Sequence, residues 1–214
     1  LVDLGKSITV NGGLSALHAL GVVFVVVGFA FKVSAVPFHT WAPDTYEGAP
    51  SPITAFLSVA SKAAGFIALV TLLFVAFPEA SSVWQPFIWV LSALTMTVGN
   101  VVALRQTNVV RMIAYSSVSQ GGFVLMPLAV AGMAGVGDSA LRAVVVYLLI
   151  YAATNLGMFA VIIAVSRKTR SGSVSSFGGL FSYAPGLGAL ATIFLAFNSN
   201  CSILQLDNTY LVSL

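Results

Sequence analysis

The sequence predicts an all-α polytopic membrane protein with about six transmembrane helices. Three observations carry that prediction. Hydrophobic residues make up 58% of the 214 residues and charged residues only 7%, against about 25% charged in a soluble domain. Mean hydropathy is +1.01. The apolar runs reach the ~20 residues a helix needs to cross a ~30 Å hydrocarbon core, and they are too long for barrel strands of ~10.

The first run extends from about Leu14 to Pro37, with a short continuation through Trp41. Pro37 marks a break, because it cannot donate to the carbonyl of Val33 and its ring disfavours helical geometry at Val36. The second run covers about Ser51 to Phe77, with Ser51 placed as cap and Pro52 as first helical residue. The third covers about Val83 to Leu104, with Pro86 in its first turn. The fourth, about Asn108 to Val130, follows Thr107 as cap. The fifth covers about Ser139 to Val165, capped by Asp138 or Ser139, and the sixth runs from near Tyr183 to about Phe197. Ser166 to Ser176 is a polar, Ser-rich loop rather than a domain boundary.

Loop charge alternates along the chain. Arg105, Arg111, Arg167, Lys168 and Arg170 follow the odd-numbered spans, with Asp44 and Glu47. Only Glu79, Asp138 and Arg142 follow the second and fourth. Counting Lys and Arg alone gives five against one, which places the loops after the first, third and fifth spans in the cytoplasm. A net charge of +3 without basic clusters interleaved with aromatics is no footprint for nucleic acid. One cysteine, Cys201, excludes a disulfide framework or a Cys-based metal site. There is no phosphate-binding glycine loop and no catalytic triad, so no bond-making chemistry and no cofactor is expected in this chain. The chain opens without Met and is expected to be a fragment.

Two lysines fall inside apolar runs. Lys62 lies eleven residues after Ser51, roughly 16 Å along its helix, close to mid-membrane. A charge there costs at least ~2.5–3.5 kcal/mol, so the side chain must face other helices or water. The plainer alternative is a lysine snorkelling to an interface. Lys32 sits beside the Pro37 break, where unwound backbone is tolerated only if buried in protein or lining a wet cavity. Its alternative is also snorkelling, from the cytoplasmic end of the helix. Neither has an acidic partner in its own span. Burial without a counter-charge penalises an ammonium, and a group poised in this way can take up and release a proton. His39 extends such a relay, or else is an interfacial histidine beside Trp41. The polar middle of the fourth span (Tyr115, Ser116, Ser117, Ser119 and Gln120), with Thr154 and Asn155 of the fifth, either holds water on a proton path or hydrogen-bonds between helices.

The stretch "FKVSAVPFHTWAPDTYEGAPSPITAFLSVASKAAGF" resembles the antiporter-like subunit N family of the respiratory NADH:quinone oxidoreductase, complex I, whose members include mitochondrial subunit 2 and a plastid homologue. "VALRQTNVVRMIAYSSVSQGGFVLM" and "NLGMFAVIIAVSRKTRSGSVSSFGGLFSYAPGL" resemble later segments of it, so the resemblance covers about Phe24 to Phe197. It implies a fourteen-helix antiporter-like fold of which residues 1–197 supply helices seven to twelve, the first one broken. It implies that Lys32 and Lys62 are proton-carrying, with His39, Tyr115, Ser116, Ser119, Gln120 and Asn155 along the path. It implies a proton-translocating membrane-arm subunit in a bacterial inner membrane, coupled to quinone reduction, without redox chemistry of its own. NADH, FMN, iron–sulfur clusters and quinone would be bound by other subunits. The partners implied are other membrane-arm subunits and the lipid bilayer. The family's partner glutamate lies upstream of residue 1. The tail 198–214, "NSNCSILQLDNTYLVSL", departs from the family's pattern and is expected to be foreign, through a frameshift or an assembly error. One rival is a subunit of a multisubunit cation/proton antiporter or a membrane-bound hydrogenase, whose relatives read "GPTPVSALIHAATMV" where this chain has "GAPSPITAFLSVASKAAG". Others are a purely structural helix bundle and a stand-alone transporter.

Overall fold

The computed structural model of the chain describes residues 16–133 and 135–196. The predicted tail, 198–214, lies outside the described residues, as do Leu14 and Phe197. The order is α1 (Ala16–Lys32), α2 (Trp41–Gly48), α3 (Ser51–Ala76), α4 (Ser81–Ala103), α5 (Val109–Val130), α6 (Gly137–Thr169), α7 (Leu180–Tyr183) and α8 (Pro185–Ala196). Four of these, α3 to α6, are long and apolar enough to cross a membrane. The described part of α1 is 17 residues. The sixth predicted span corresponds to α8, which meets the short helical stretch before it at 117°. Pro185 stands at that corner, where it cannot continue a preceding helix.

The break after α1 is as predicted, and it starts where proline chemistry places it. Val33 N makes the last helical bond, to Phe29 O at 2.8 Å. Ser34 then turns left-handed, at φ 62°, and the Val36–Pro37 peptide is cis. Backbone freed inside a membrane needs partners. Val36 N finds one in Thr95 Oγ1 of α4 at 2.9 Å. Ala35 N bonds Ala30 O, and the Trp41 indole donates to Phe31 O at 2.9 Å. Val33 to Val36 are all buried. The predicted continuation through Trp41 is instead a separate helix, α2, which begins at that residue.

Three predicted caps move. Pro50, in extended backbone, holds the cap position of α3, so Ser51 is already helical and Pro52 second in line. Asn108, not Thr107, caps α5, and its Oδ1 accepts from Val110 N at 2.9 Å and Arg111 N at 3.4 Å. Helix α6 begins at Gly137, so Asp138 and Ser139 lie inside its first turn, past the capping position. Helix α4 likewise starts early, which puts Pro86 in its second turn.

Helix α5 is the most enclosed of the long helices, and α4 packs along it most closely. The approach depends on two glycines. A Cβ on Gly99 would come within 2.7 Å of Ser119 N, and one on Gly122 within 2.8 Å of Met96 N. Small residues at such crossings let backbones meet in lipid, where no hydrophobic force drives helices together. The loops after α2, α4 and α6 gather at one end of the bundle. There Val109 N bonds Gly172 O at 2.9 Å and Val174 N bonds Thr107 O at 2.8 Å.

Replacing Thr95 by Val keeps its shape but removes the acceptor for Val36 N. The expected cost is about 1–3 kcal/mol for a buried, unserved donor, read as a lower melting temperature of the detergent-solubilised protein. An unchanged melting point would mean that the break is held by other contacts.

Candidate functional site

Lys62 lies in the middle of α3, directly after a π-helical turn, Leu57–Ser61. A π turn inserts an extra residue and re-aims the side chains after it. Here it directs Lys62 against α5, where the residue is 3% exposed. Its ammonium donates to Ser117 O at 2.7 Å and to Ser117 Oγ at 2.6 Å. Among the described residues no carboxylate lies within ion-pair distance of it.

The hydrogen bonds continue away from Lys62. Ser117 Oγ is 2.7 Å from the Tyr151 hydroxyl, which donates to Ser58 O at 3.2 Å. Because Tyr151 has a single O–H and gives it to Ser58, the Ser117 hydroxyl is the donor to Tyr151. The donors therefore all run one way, from Lys62 through Ser117 and Tyr151 to α3 again. Asn155, one turn beyond Tyr151, donates to Ser58 Oγ at 2.6 Å. One turn the other way, the Tyr147 hydroxyl donates to Gln120 Oε1. Lys62, Ser117, Gln120 and Tyr151 also line a small cavity with Phe66, Gly121, Val124 and Leu148. A run of hydroxyls that both accept and donate can pass a proton along by exchange of partners.

Lys32 is placed differently. It ends α1 and is exposed among the described residues. Its stem lies against α3: a Cβ on Gly65 would sit 3.1 Å from Lys32 Cγ. Gly65 is one turn after Lys62, so both lysines meet the same stretch of α3. His39 stacks edge-on against Tyr115, ring centroids 6.1 Å apart, beside the break and apart from the Lys62 chain. Ser119 faces α4 and reaches Met96 O at 3.4 Å. Ser116 is half-buried and makes none of the bonds to Lys62. Of the predicted path residues the fold thus brings Gln120 and Asn155 to the Lys62 region and leaves His39, Tyr115, Ser116 and Ser119 outside the bonded chain.

Sequence reasoning missed Ser58, Tyr147 and Tyr151, and did not single out Ser117 within its polar run. A signal was present. Tyr147, Tyr151 and Asn155 recur every four residues and share one face of α6, and Ser58 precedes Lys62 by four.

At the end where the loops gather, Arg111 Nη1 contacts Asp44 Oδ1 and Glu47 Oε2, each at 2.8 Å. Asn108 Nδ2 donates to Glu47 Oε1 at 3.0 Å. Exposed pairs of this kind contribute little stability, but they fix α2 against the start of α5. Thr54 Oγ1 holds the same half of α2 from α3 by donating to Tyr46 O at 3.0 Å.

Residues 3–206 match the family model described as "NADH:quinone oxidoreductase/Mrp antiporter, TM". The chain is 47% identical over 190 residues to NAD(P)H-quinone oxidoreductase subunit 2 of Rippkaea orientalis, covering 89% of this chain and 36% of the relative. It is 43% identical over 187 residues to NADH-quinone oxidoreductase subunit N of Trichlorobacter lovleyi, covering 87% and 37%. It therefore spans little more than a third of the length of these curated relatives. Two solved structures are similar. A chain of the membrane-bound sulfane sulfur reductase, an archaeal respiratory membrane complex, superposes with TM-score 0.74 at 27% identity, over 88% of this chain and 40% of that one. A chain of respiratory complex I from Thermus thermophilus does so with TM-score 0.61 at 28% identity, over 91% and 47%.

Ser117→Ala leaves the Lys62 ammonium with one acceptor and Tyr151 without its donor. Hydrogen bonds to charged groups are worth about 1.5–3 kcal/mol. Thermal unfolding of Ser117→Ala, Tyr151→Phe and the double variant should show destabilisation by each change and non-additivity in the pair. Strict additivity would mean the two hydroxyls do not communicate.

Proposed function

The chain belongs to the NADH:quinone oxidoreductase/Mrp antiporter transmembrane family, and from that membership we propose that it is the central part of a proton-translocating membrane-arm subunit of an NADH:quinone oxidoreductase. The observation that carries the proposal is Lys62: an ammonium buried near mid-membrane, without a carboxylate partner among the described residues, at the head of a chain of hydroxyl donors. A lysine in that position costs several kcal/mol to insert, a cost accounted for when it carries protons.

In this reading Lys62 is the relay, and Ser117, Tyr151, Ser58 and Asn155 orient it and carry its hydrogen bonds onward. Lys32 is the second carrier. It lies beside the helix break, where α1 ends its dipole and freed carbonyls face the interior. An acidic group from another part of the intact subunit would hold it charged. The chain acts as a non-catalytic subunit. Quinone reduction elsewhere in the complex, by subunits that bind NADH, FMN, iron–sulfur clusters and quinone, supplies the driving force. Its neighbours are other membrane-arm subunits. The loops after α2, α4 and α6 face the cytoplasm, which the Lys and Arg count supports.

A second reading, a subunit of a multisubunit cation/proton antiporter or a membrane-bound hydrogenase, shares this fold. The Ser61–Lys62 pair, where those relatives carry a histidine-bearing stretch, weighs against it.

In the intact complex reconstituted into vesicles, Lys62→Ala should lower the number of protons moved per NADH oxidised, or slow turnover several-fold if coupling is strict. Lys32→Ala should do likewise. Unaltered turnover and unaltered stoichiometry in Lys62→Ala would sink the relay. Replacing sodium by choline should leave transport unchanged; a sodium requirement would favour the antiporter reading.

A further inference from the structure

Helix α2 buries one face, and Tyr46 is its largest member at 1% exposed. Tyr46, Ala42 and Ala114 of α5 form one apolar cluster, with Leu57 of α3 packed against it. Ser117 follows Ala114 by three residues, so it stands on the same face of α5, about one turn deeper in the bundle. A helical turn rises about 5.4 Å, a distance that a phenol side chain spans. The ring therefore carries the Tyr46 hydroxyl from α2, on the side where the loops gather, inward to the residue that holds Lys62.

That hydroxyl is buried and closes no well-aligned hydrogen bond among the described residues, yet Ser117 stands within its reach and Tyr151 is a neighbour. A phenylalanine would fill the same space without burying an idle donor, and an idle donor in a native interior calls for a reason. Ser117 supplies one. Its Oγ has one proton and two lone pairs. The proton goes to Tyr151, and one lone pair takes the Lys62 ammonium. The other lone pair is left for the Tyr46 O–H. A small change in the seat of α2 aligns the two groups. That seat is held at the surface by Arg111 on Asp44 and Glu47. Exposed ion pairs are weak, so the seat can shift at little cost, with the bond from Thr54 Oγ1 to Tyr46 O as the inner tether.

We propose that Tyr46 is a positioning residue whose hydroxyl is the third hydrogen-bond partner of Ser117, so that the seat of α2, set on the surface by Arg111, governs how Ser117 holds Lys62. The inference rests on the relay role of Lys62. It adds that a charged contact at the end of the bundle bears on the buried lysine, and that one phenol transmits the effect.

The test uses the intact complex in vesicles. Tyr46→Phe keeps the ring and removes only the hydroxyl. It should assemble with an unchanged melting temperature and translocate protons several-fold more slowly. In a Ser117→Ala background the same change should cost nothing further, because Tyr46 acts through Ser117. Arg111→Gln should slow transport to a similar degree and should not add to Tyr46→Phe, while Arg111→Lys, which keeps the charge, should restore most of the rate. Full rate in Tyr46→Phe beside a slow Lys62→Ala would overturn the positioning role and leave the relay standing. So would a loss that multiplies with that of Ser117→Ala, or one matched by a fall in melting temperature, since ring packing would then explain it. Full rate in Arg111→Gln would overturn the link to the surface. Full rate in Lys62→Ala would remove the relay and this inference together. Should Tyr46→Phe fail to assemble, high-resolution maps of the unaltered complex, at rest and during turnover, decide. A Tyr46 hydroxyl at hydrogen-bonding distance from Ser117 Oγ in either state supports the role, and separation in both overturns it.

Discussion

The pairing of the Lys62 ammonium with Ser117 is the constraint around which the interior is arranged. A lysine at this depth has no lipid-facing solution, because neither interface is within reach of its side chain. It must find oxygen atoms on a neighbouring helix, and α5 presents both a backbone carbonyl and a hydroxyl at one residue. Helix backbone carbonyls are normally committed to their own helix, so the second acceptor, the side-chain oxygen, matters. Once Ser117 is committed to Lys62, its own proton needs an acceptor. Tyr151 supplies it, and Tyr151 in turn returns to α3 at Ser58. One buried charge thereby fixes the mutual rotation of α3, α5 and α6.

The break after α1 solves a related problem with different means. Proline withdraws a donor and twists the chain away from helical geometry. The fold then has to provide for the exposed amides from elsewhere. Thr95 serves Val36, Trp41 occupies Phe31 O, and the carbonyl of Val33 is turned inward towards Gly121. The break and the buried lysine are thus not separate peculiarities. Both place polar groups between α1, α3 and α5, and the Lys32 stem meets α3 one turn from Lys62. The clamp of Arg111 on Asp44 and Glu47 lies outside this volume and sets only the position of α2.

Much of this was legible in advance. Long apolar runs give helices because a backbone in lipid must satisfy itself, and no other element of that length does so. Pro37 located the break to within a few residues because its defect acts on residues at fixed offsets, Val33 and Val36. Lys62 stood out by its depth alone. Caps were less legible: Ser51, Thr107 and Asp138 are all chemically able to cap, but the backbone of the preceding residue decides which position is still extended. Within the polar run of the fourth span, composition could not say that Ser117 faces α3 while Ser119 faces α4, two residues away. Successive helical residues are turned about 100° apart, and only the rotation of α5 in the bundle resolves which face meets which neighbour.

The sequence by itself determined the class of protein, the places where helices begin to be possible, the break, and the one lysine, Lys62, that lipid cannot accommodate. These follow from transfer energies and proline stereochemistry, which are properties of residues and their immediate neighbours. Tertiary structure alone decided that Ser58, Tyr151 and Asn155 gather at Lys62, and that His39 pairs with Tyr115 instead. Those facts depend on the rotation and separation of helices distant in the chain. In a membrane these are set by the packing of small residues and the pairing of scattered polar groups, and no local pattern encodes them.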